Sequence, residues 1–270
     1  MNQSPPAGSI PRDVALGAGA GVLSGLLGVG GGILLVPILV LVLRWQQKTA
    51  QATALVLVMM AAIAGVTTYA VAGSVAWGPA AIVFCGAVVG ALVGSAVVQR
   101  VHAHWLQVAF GVVLVLAAVR LVWPTGEQSD SLQELPGLSP SLVVAYVASG
   151  LAMGLLSALF GIGGGIVLVP ALVTLFDFNQ RLAAGTSLAV MAPTALIGAL
   201  RLTRPGYTSW SRGLRFGIGG VVGGLVGARL GLWLPVELLS WAFAVLLVIA
   251  AVQMFRSGVR TARAPDAATP

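Results

Sequence analysis

The chain has 270 residues, of which 58% are hydrophobic and only 8% are charged, and its mean hydropathy is +1.01. Because soluble domains carry roughly 25% charged residues, this composition excludes an ordinary soluble protein and indicates several membrane spans. The 14 Lys and Arg residues against 7 Asp and Glu residues indicate basic cytoplasmic loops rather than nucleic-acid binding, and the single cysteine excludes a disulfide within the chain.

Eight apolar segments follow one another along the chain. They run over residues 14–43, 50–72, 79–99, 105–123, 141–176, 183–200, 213–234 and 237–255. Residues 124–140 combine acidic residues with Ser, Gly and Pro, which predicts a polar linker in water. Residues 256–270 form a basic and then polar tail. The N-terminus lacks a cleavable signal pattern and is expected to be retained.

The two groups of four segments, residues 14–123 and 141–255, are copies of one another. A constant offset of 133 residues aligns them without a gap. It pairs Gly17 with Gly150, Ser24 with Ser157, Thr53 with Thr186, Gly65 with Gly198, Trp77 with Trp210 and Phe110 with Phe243. This pattern predicts an all-α polytopic membrane protein with two homologous repeats of four hydrophobic segments, an arrangement common in secondary transporters.

The first segment of each repeat contains a glycine cluster. The clusters read Gly28-Val29-Gly30-Gly31-Gly32 and Gly161-Ile162-Gly163-Gly164-Gly165. Because each glycine costs a helix interior about 1 kcal/mol relative to alanine, such a cluster predicts a helix break. Broken backbone at membrane depth is tolerated where it is buried in protein or lines a wet cavity. The clusters are therefore the first candidates for a substrate site.

Two further glycine patterns point to packing. The ladders Gly86, Gly90, Gly94 and Gly219, Gly223, Gly227 have the GxxxGxxxG spacing that lets helix backbones approach closely. We expect them to pack helices, either within one chain or between two copies in a homodimer.

The charges of the loops bear on whether the two broken segments cross the membrane or enter it and return to the same side. If all eight segments cross the membrane, the 14 basic residues divide 9 to 5 between the two sides. If the broken segments are re-entrant, the second repeat is inverted and the division is 11 to 3, with only Arg120, Arg181 and Arg229 outside. The positive-inside rule favours the inverted arrangement, with both termini in the cytoplasm. Segments of this length can also cross as broken helices, so that alternative stays open.

Four arginines lie between the sixth and seventh segments or just beyond them. They are Arg201, Arg204, Arg212 and Arg215. Their position predicts a cluster on the cytoplasmic side, which either sets orientation or gathers anions at an entrance.

Three stretches resemble the sulfite exporter TauE/SafE family. They are Ser24 to Pro37, its echo Ser157 to Pro170, and Ala184-Gly185-Thr186-Ser187-Leu188-Ala189. The resemblance runs from about Val14 to Phe255 and implies a multi-pass permease of the bacterial inner (cytoplasmic) membrane. Such a permease moves sulfite, sulfonates or related sulfur-containing anions, usually outward. The first repeat departs from the pattern, with Gln51-Ala52-Thr53-Ala54 opposite Ala184-Gly185-Thr186-Ser187, so the halves of any site are chemically unequal.

The physical chemistry of the clusters also suits an anion. Helices that restart at Ile33 and Ile166 direct unpaired N–H groups and a positive dipole end back towards the glycines. Glycine leaves room for close approach, and nearby hydroxyls add uncharged donors. The predicted substrate-binding residues are Ser24, Gly30, Gly31, Gly32, Thr53, Ser157, Gly163, Gly164, Gly165, Thr186 and Ser187. The alternative is that the glycines only allow two broken helices to pack tightly.

These patterns favour secondary export of sulfite or a sulfonate-type organic anion. An anion channel, or an importer of another sulfur-containing anion, is the alternative. An enzyme is disfavoured because the acidic residues lie mostly in loops and termini. The glycine clusters lack the last glycine and the acidic partner of a dinucleotide fingerprint, and His102 and His104 lack neighbouring metal ligands. We expect no cofactor, metal or nucleic acid; the partners are the anion and the lipid bilayer.

Overall fold

The structure is a computed structural model that describes residues 9–97, 111–112, 114–115, 118–119, 121, 139–160, 163–203 and 207–263. Every regular element in these ranges is a helix, which confirms the predicted all-α class. Several predictions fall outside the described residues. They concern most of the linker, the tail beyond residue 263, Gly161, Ile162, Arg120, Arg204, His102 and His104.

The helices are bounded as follows in chain order. They are α1 (Ile10–Leu27), α2 (Gly32–Pro37), α3 (Gln47–Val71), α4 (Trp77–Val97), α5 (Pro140–Phe160), α6 (Gly165–Leu175), α7 (Gln180–Thr203), α8 (Trp210–Trp233) and α9 (Val236–Arg263). A π-helical turn, Ile38–Val42, continues α2 beyond Pro37. Helical residues also occur between positions 111 and 121.

Five of the described helices are long and apolar enough to cross a membrane. These are α3, α7 and α8 over their full length, α5 over Pro140–Ser157 and α9 over Val236–Gln253. Shorter apolar stretches lie in α4, at Trp77–Leu92, and in α6, at Gly165–Leu175. The chain therefore has the helices of a multi-pass membrane protein.

Both glycine clusters interrupt a helix, as predicted. α1 ends at Leu27, and Gly28 adopts the left-handed conformation, with a φ of 70°. Its N–H donates to the Ser24 carbonyl oxygen at 2.9 Å, which closes the last turn of α1. In the second cluster Gly164 precedes α6 with a φ of 77°. Glycine adopts this conformation without the steric cost that other residues pay.

The first broken segment enters and leaves at the same end of α8. Asp13 in the first turn of α1 and Trp45 beyond the π-helical turn both contact Arg212, which lies in the first turn of α8. The chain between them therefore doubles back at the glycines as a helical hairpin. Its insertion into a membrane as a re-entrant element stays a prediction.

The glycine ladders pack helices of one repeat against helices of the other. α8 lies along α1, and α4 lies along α5, so closely that a Cβ on Gly86, Gly90, Gly219, Gly223 or Gly227 would collide with backbone atoms. Three contacts between α1 and α8 have counterparts between α5 and α4. The contact of Gly219 with Val14 matches that of Gly86 with Val147, and the contact of Gly223 with Ala18 matches that of Gly90 with Leu151. The contact of Gly17 with Phe216 matches that of Gly150 with Val83. Each pair of contacts is related by the offset of 133 residues. These faces are covered within one chain, so a homodimer, which stays a prediction, would use another surface.

The equivalent helices α3 and α7 run antiparallel through the centre. A Cβ on Gly65 would lie 2.8 Å from Cδ1 of Leu188, and one on Gly198 would lie 3.0 Å from Cδ1 of Leu55. These two contacts are again related by the offset. The early part of each helix therefore meets the late part of the other, and their midpoints lie side by side.

Candidate functional site

The two glycine clusters meet in direct backbone contact. A Cβ on Gly165 would lie 2.6 Å from the carbonyl oxygen of Gly28 and 2.8 Å from Cα of Val29. Any side chain larger than hydrogen would separate the clusters. The start of α6 is therefore held against the end of α1 by the absence of side chains.

The same two side chains cover both clusters. Gly30 and Gly163 each face Cε of Met191 and Cγ1 of Val58. Val58 lies near the middle of α3 and Met191 near the middle of α7, and the offset pairs these two positions. If α3 and α7 cross the membrane, the clusters meet close to its midplane, where repeat-built transporters place their substrates.

Backbone donors of α6 point into this junction. Val167 and Leu168 donate to the Gly164 carbonyl oxygen at 3.0 and 3.2 Å. The N–H groups of Gly165 and Ile166 precede them and have no backbone acceptor among the described residues. The first N–H groups of a helix and the positive end of its dipole favour an anion, so the start of α6 is the candidate position for one.

Ser24 adds a hydroxyl with no hydrogen-bond partner in the described structure. Its side chain is fully buried and its Oγ makes no hydrogen bond with the described residues. Ala20, one turn earlier on the same face of α1, contacts Gly31, so Ser24 faces the returning chain. A buried hydroxyl normally has a partner, because leaving it unpaired costs free energy.

Ser157 occupies the equivalent position on α5. It is half-buried, and Met153, one turn earlier, contacts Gly164 as Ala20 contacts Gly31. The structure therefore brings Ser157 to the second cluster as it brings Ser24 to the first.

Ser187 joins α7 to the first cluster. Its Oγ donates to the Gly28 carbonyl oxygen at 2.8 Å and lies 3.6 Å from Sδ of Met191. The equivalent residue in the first repeat is Ala54, which has no hydroxyl. The two repeats were predicted to differ chemically at this position, and the hydroxyl that differs contacts the first glycine cluster directly.

Thr53 and Thr186 make a different contact from the one predicted. The Oγ1 of Thr186 accepts from the N–H of Ala76 at 3.0 Å, just before α4. The Oγ1 of Thr53 accepts from the N–H of Ser209 at 3.3 Å, just before α8. Both threonines hold the start of a neighbouring helix, and these bonds do not involve the glycine clusters. Their role as anion ligands stays a prediction.

Sequence reasoning missed one buried charge. Asp13 is fully buried and accepts from Nη2 and Nε of Arg212 at 2.9 and 3.2 Å. Arg212 also lies 4.5 Å from the centre of the Trp45 ring, and Arg215 lies 4.0 Å from Asp13. One feature of the sequence could have indicated this ion pair. Asp13 lies at the start of the first apolar segment, on the side of the membrane predicted to hold the four arginines.

The groups that the described residues bring to the junction are apolar side chains, a hydroxyl and backbone N–H groups. Val58, Met153 and Met191 supply apolar walls, Ser24 supplies a hydroxyl, and α6 supplies backbone donors. Such a site binds by dipoles, which permits release as well as binding.

Comparison with known proteins gives a consistent assignment. The family model "Sulfite exporter TauE/SafE" matches residues 2–121 and 146–270. The probable membrane transporter protein YunE of Bacillus subtilis (strain 168) is 25% identical over 270 residues, covering 91% of this chain and 97% of that protein. A probable membrane transporter protein of Xylella fastidiosa (strain Temecula1) is 30% identical over 244 residues, covering 88% and 93%.

A second Xylella fastidiosa protein, from strain 9a5c, is also described as a probable membrane transporter and is 31% identical over 220 residues, or 80% of this chain and 84% of that protein. No solved structure matches the chain. The family match covers both repeats and both glycine clusters, so this membrane transporter belongs to the sulfite exporter TauE/SafE family.

Proposed function

We propose that the protein exports sulfite or a sulfonate-type organic anion across the bacterial inner membrane by secondary transport. One observation carries this proposal. The hydroxyl of Ser24 is fully buried without a partner in the described structure, and it lies in the last turn of α1, which ends at the glycine cluster that meets the start of α6. Because a hydroxyl at this depth is stable only with a partner, an oxyanion that accepts from it and from the α6 backbone satisfies both.

The ligand class follows from the donors at the junction. A tetrahedral or pyramidal sulfur oxyanion offers several acceptor oxygens around one small centre, which suits N–H and O–H donors that converge from two helices. The apolar contacts of Val58 and Met191 leave little space for a large ligand. The described neighbours of the glycines include no cationic side chain, which favours release over tight retention.

The topology proposal places the end that holds Asp13 and Arg212 in the cytoplasm. The antiparallel course of α3 and α7 supports an inverted relation between the repeats, and the hairpin from Asp13 to Trp45 supports a re-entrant first segment. The start of α7, with Arg181, would then face the periplasm, as would the linker.

Binding tests the proposed function directly. The purified protein is screened by thermal shift against sulfite, sulfoacetate, taurine, thiosulfate and sulfate, since a ligand that binds only the folded state raises apparent stability. Ser24→Ala should weaken binding of the best anion by about 1.5–3 kcal/mol, the value of a hydrogen bond to a charged group. Its folding should be unaffected, because the hydroxyl has no partner in the described protein.

Side chains added to the glycines should block the site itself. Gly31→Leu and Gly164→Leu should abolish transport while the protein still inserts into the membrane. Gly78→Leu is the matched control, because a Cβ there meets nothing within 4 Å. If folded Gly164→Leu protein bound the anion with wild-type affinity, the clusters would be packing elements and the proposed site would be wrong.

Cysteine labelling tests the topology. Single cysteines are introduced as Ser129→Cys in the linker and Thr269→Cys in the tail, in a Cys85→Ser background. Membrane-impermeant reagents should label them from opposite sides. Labelling from the same side would contradict the inverted arrangement and restore eight crossing segments.

A further inference from the structure

A buried amide lies at the start of α7 and takes no part in the junction described above. Gln180 is 0% exposed, and both its Oε1 and its Nε2 lack hydrogen-bond partners within the described residues. Such a group costs free energy in a folded protein unless a ligand or water pairs with it. Like the Ser24 hydroxyl, the amide is therefore a buried polar group without a hydrogen-bond partner in the described residues.

Helix geometry places Gln180 on the face of α7 that meets the glycine clusters. Positions 180, 184, 187 and 191 follow the spacing of residues that share one face of a helix. Ala184 contacts Gly28, Ser187 donates to the Gly28 carbonyl oxygen, and Met191 contacts both clusters. Gln180 thus continues the same face of α7, one turn beyond Ala184, towards the end at which the helix begins.

The next residue of α7, Arg181, supplies a positive charge held in one place. Nη2 of Arg181 donates to the Leu234 carbonyl oxygen at 2.7 Å, which fixes the guanidinium near the end of α8. Its Nε is buried and has no partner in the described part of the chain. The side chain of Asn179 caps α7, with its Oδ1 accepting from the N–H of Leu182 at 2.7 Å, so the positive end of the helix dipole lies at the same place.

We propose that Gln180 and Arg181 form a second anion site, a vestibule between the glycine junction and the side of the membrane at which α7 begins. The vestibule takes a small oxyanion of the class that the junction takes, and so it rests on the proposed function. The Gln180 Nε2 and the Arg181 Nε donate to oxygens of the anion, while the Gln180 Oε1 accepts from a water of its hydration shell. On the predicted topology this is the exit side.

The first repeat has no equivalent of the buried Gln180 and the half-buried Arg181. The offset pairs Gln180 with Gln47 and Arg181 with Lys48, and both of these residues are exposed at the start of α3. The vestibule therefore exists only at the end of the protein where α7 begins. It should affect transport of an anion supplied from that side and not from the other.

Transport measured from each side tests the vestibule. Right-side-out and inside-out membrane vesicles that contain the full-length protein are supplied with labelled sulfite, and initial rates give an apparent KM for each side. Gln180→Leu and Arg181→Gln should each raise the apparent KM about 10-fold for sulfite supplied from the α7 side and leave the other side unchanged. Arg181→Lys, which keeps the charge, should recover part of the affinity.

Two matched controls accompany these variants. Arg229→Gln removes an exposed positive charge near the same end of α8, and Gln47→Leu alters the equivalent glutamine of the first repeat. Neither should change the apparent KM from the α7 side. Thermal unfolding of each variant checks that a change in transport does not come from loss of folded protein.

The outcomes separate this proposal from the proposed function. If wild-type vesicles transport sulfite but the Gln180 and Arg181 variants change neither side, or change both sides equally, the vestibule is wrong and the junction stands. An equal effect of Arg229→Gln also overturns it, because surface charge would then suffice. If wild-type vesicles transport none of the screened anions, the proposed function fails and the vestibule fails with it.

Discussion

The packing of α1 against α8 and the packing of α5 against α4 are two versions of one arrangement. The offset of 133 residues carries the contacts of Gly17, Gly21, Gly219 and Gly223 in the first pair onto contacts of the second pair, which are those of Gly150, Gly154, Gly86 and Gly90. In both, glycine lets backbone touch backbone. The spacing between helices is therefore shared by the two repeats.

The ends of these two helix pairs differ in chemistry. Asp13 and Arg212 form a buried, two-bonded ion pair between α1 and α8. The equivalents of these residues are Tyr146 and Pro79, and Tyr146 instead stacks on Phe176 with ring centroids 4.1 Å apart. Both helix pairs have small residues where the helices touch, while the side chains beyond the contact are charged in one pair and aromatic in the other.

Removing the carboxylate should have the largest effect. Asp13→Ala leaves Arg212 buried without its partner carboxylate, and such a change typically costs about 3–5 kcal/mol of stability. The equivalent Tyr146→Phe keeps the stacked ring and should cost less than about 1 kcal/mol. Chemical denaturation in detergent micelles measures the free energy of unfolding of both variants.

A double variant sharpens this test. Asp13→Asn combined with Arg212→Gln replaces the charges with neutral groups of similar size and should recover much of the lost stability. If Asp13→Ala and Tyr146→Phe were equally mild, the ion pair would add nothing and the two ends would be energetically alike.

The glycine contacts should respond alike in both pairs. Gly223→Ala drives a Cβ towards the backbone of Ala18, and Gly90→Ala does so towards Leu151. Each should lower stability by about 1–3 kcal/mol, the usual cost of overpacking. Transport per folded molecule should not change.

Gly78→Ala is the control for both variants, because a Cβ there has open space. Unfolding midpoints and anion transport are measured on the same preparations. A large loss in one variant and none in the other would show that the two helix pairs are not equivalent in energy.

Apart from the Tyr146→Phe comparison, the smallest expected effect lies at the junction. Ser187→Ala removes the donor to the Gly28 carbonyl oxygen and makes the second repeat resemble the first, which has Ala54. It should lower stability by about 1 kcal/mol. Ala54→Ser should give no matching gain, and equal and opposite changes in unfolding midpoint would contradict the inequality of the two repeats.

Local sequence chemistry predicted the helix class, the repeats and the breaks at the glycines. Backbone conformation at Gly28 and Gly164 depends on local sterics, which a glycine-rich run reveals directly. The prediction for the threonines was less informative. The partners of Thr53 and Thr186 lie 156 and 110 residues away, so their bonds to helix starts depend on how the repeats interlock.

The buried charges could not be located by pattern either. Asp13 stands among polar residues at the edge of the first apolar segment, which suggested exposure. It becomes fully buried only because α8 brings Arg212 against it. Burial of a charge is decided by its partner, and that partner lies 199 residues away.

By itself the sequence determined that the chain lies in a membrane, that it is helical, that its two halves resemble each other, and where its helices break. These features follow from hydropathy and glycine sterics, which act within short stretches of chain. Only the tertiary structure decided which groups meet. It brought the two clusters into contact, left Ser24 and Gln180 buried without partners in the described chain, and paired Asp13 with Arg212. The physical reason is that contacts between distant residues depend on the relative placement of whole helices, which no local pattern specifies.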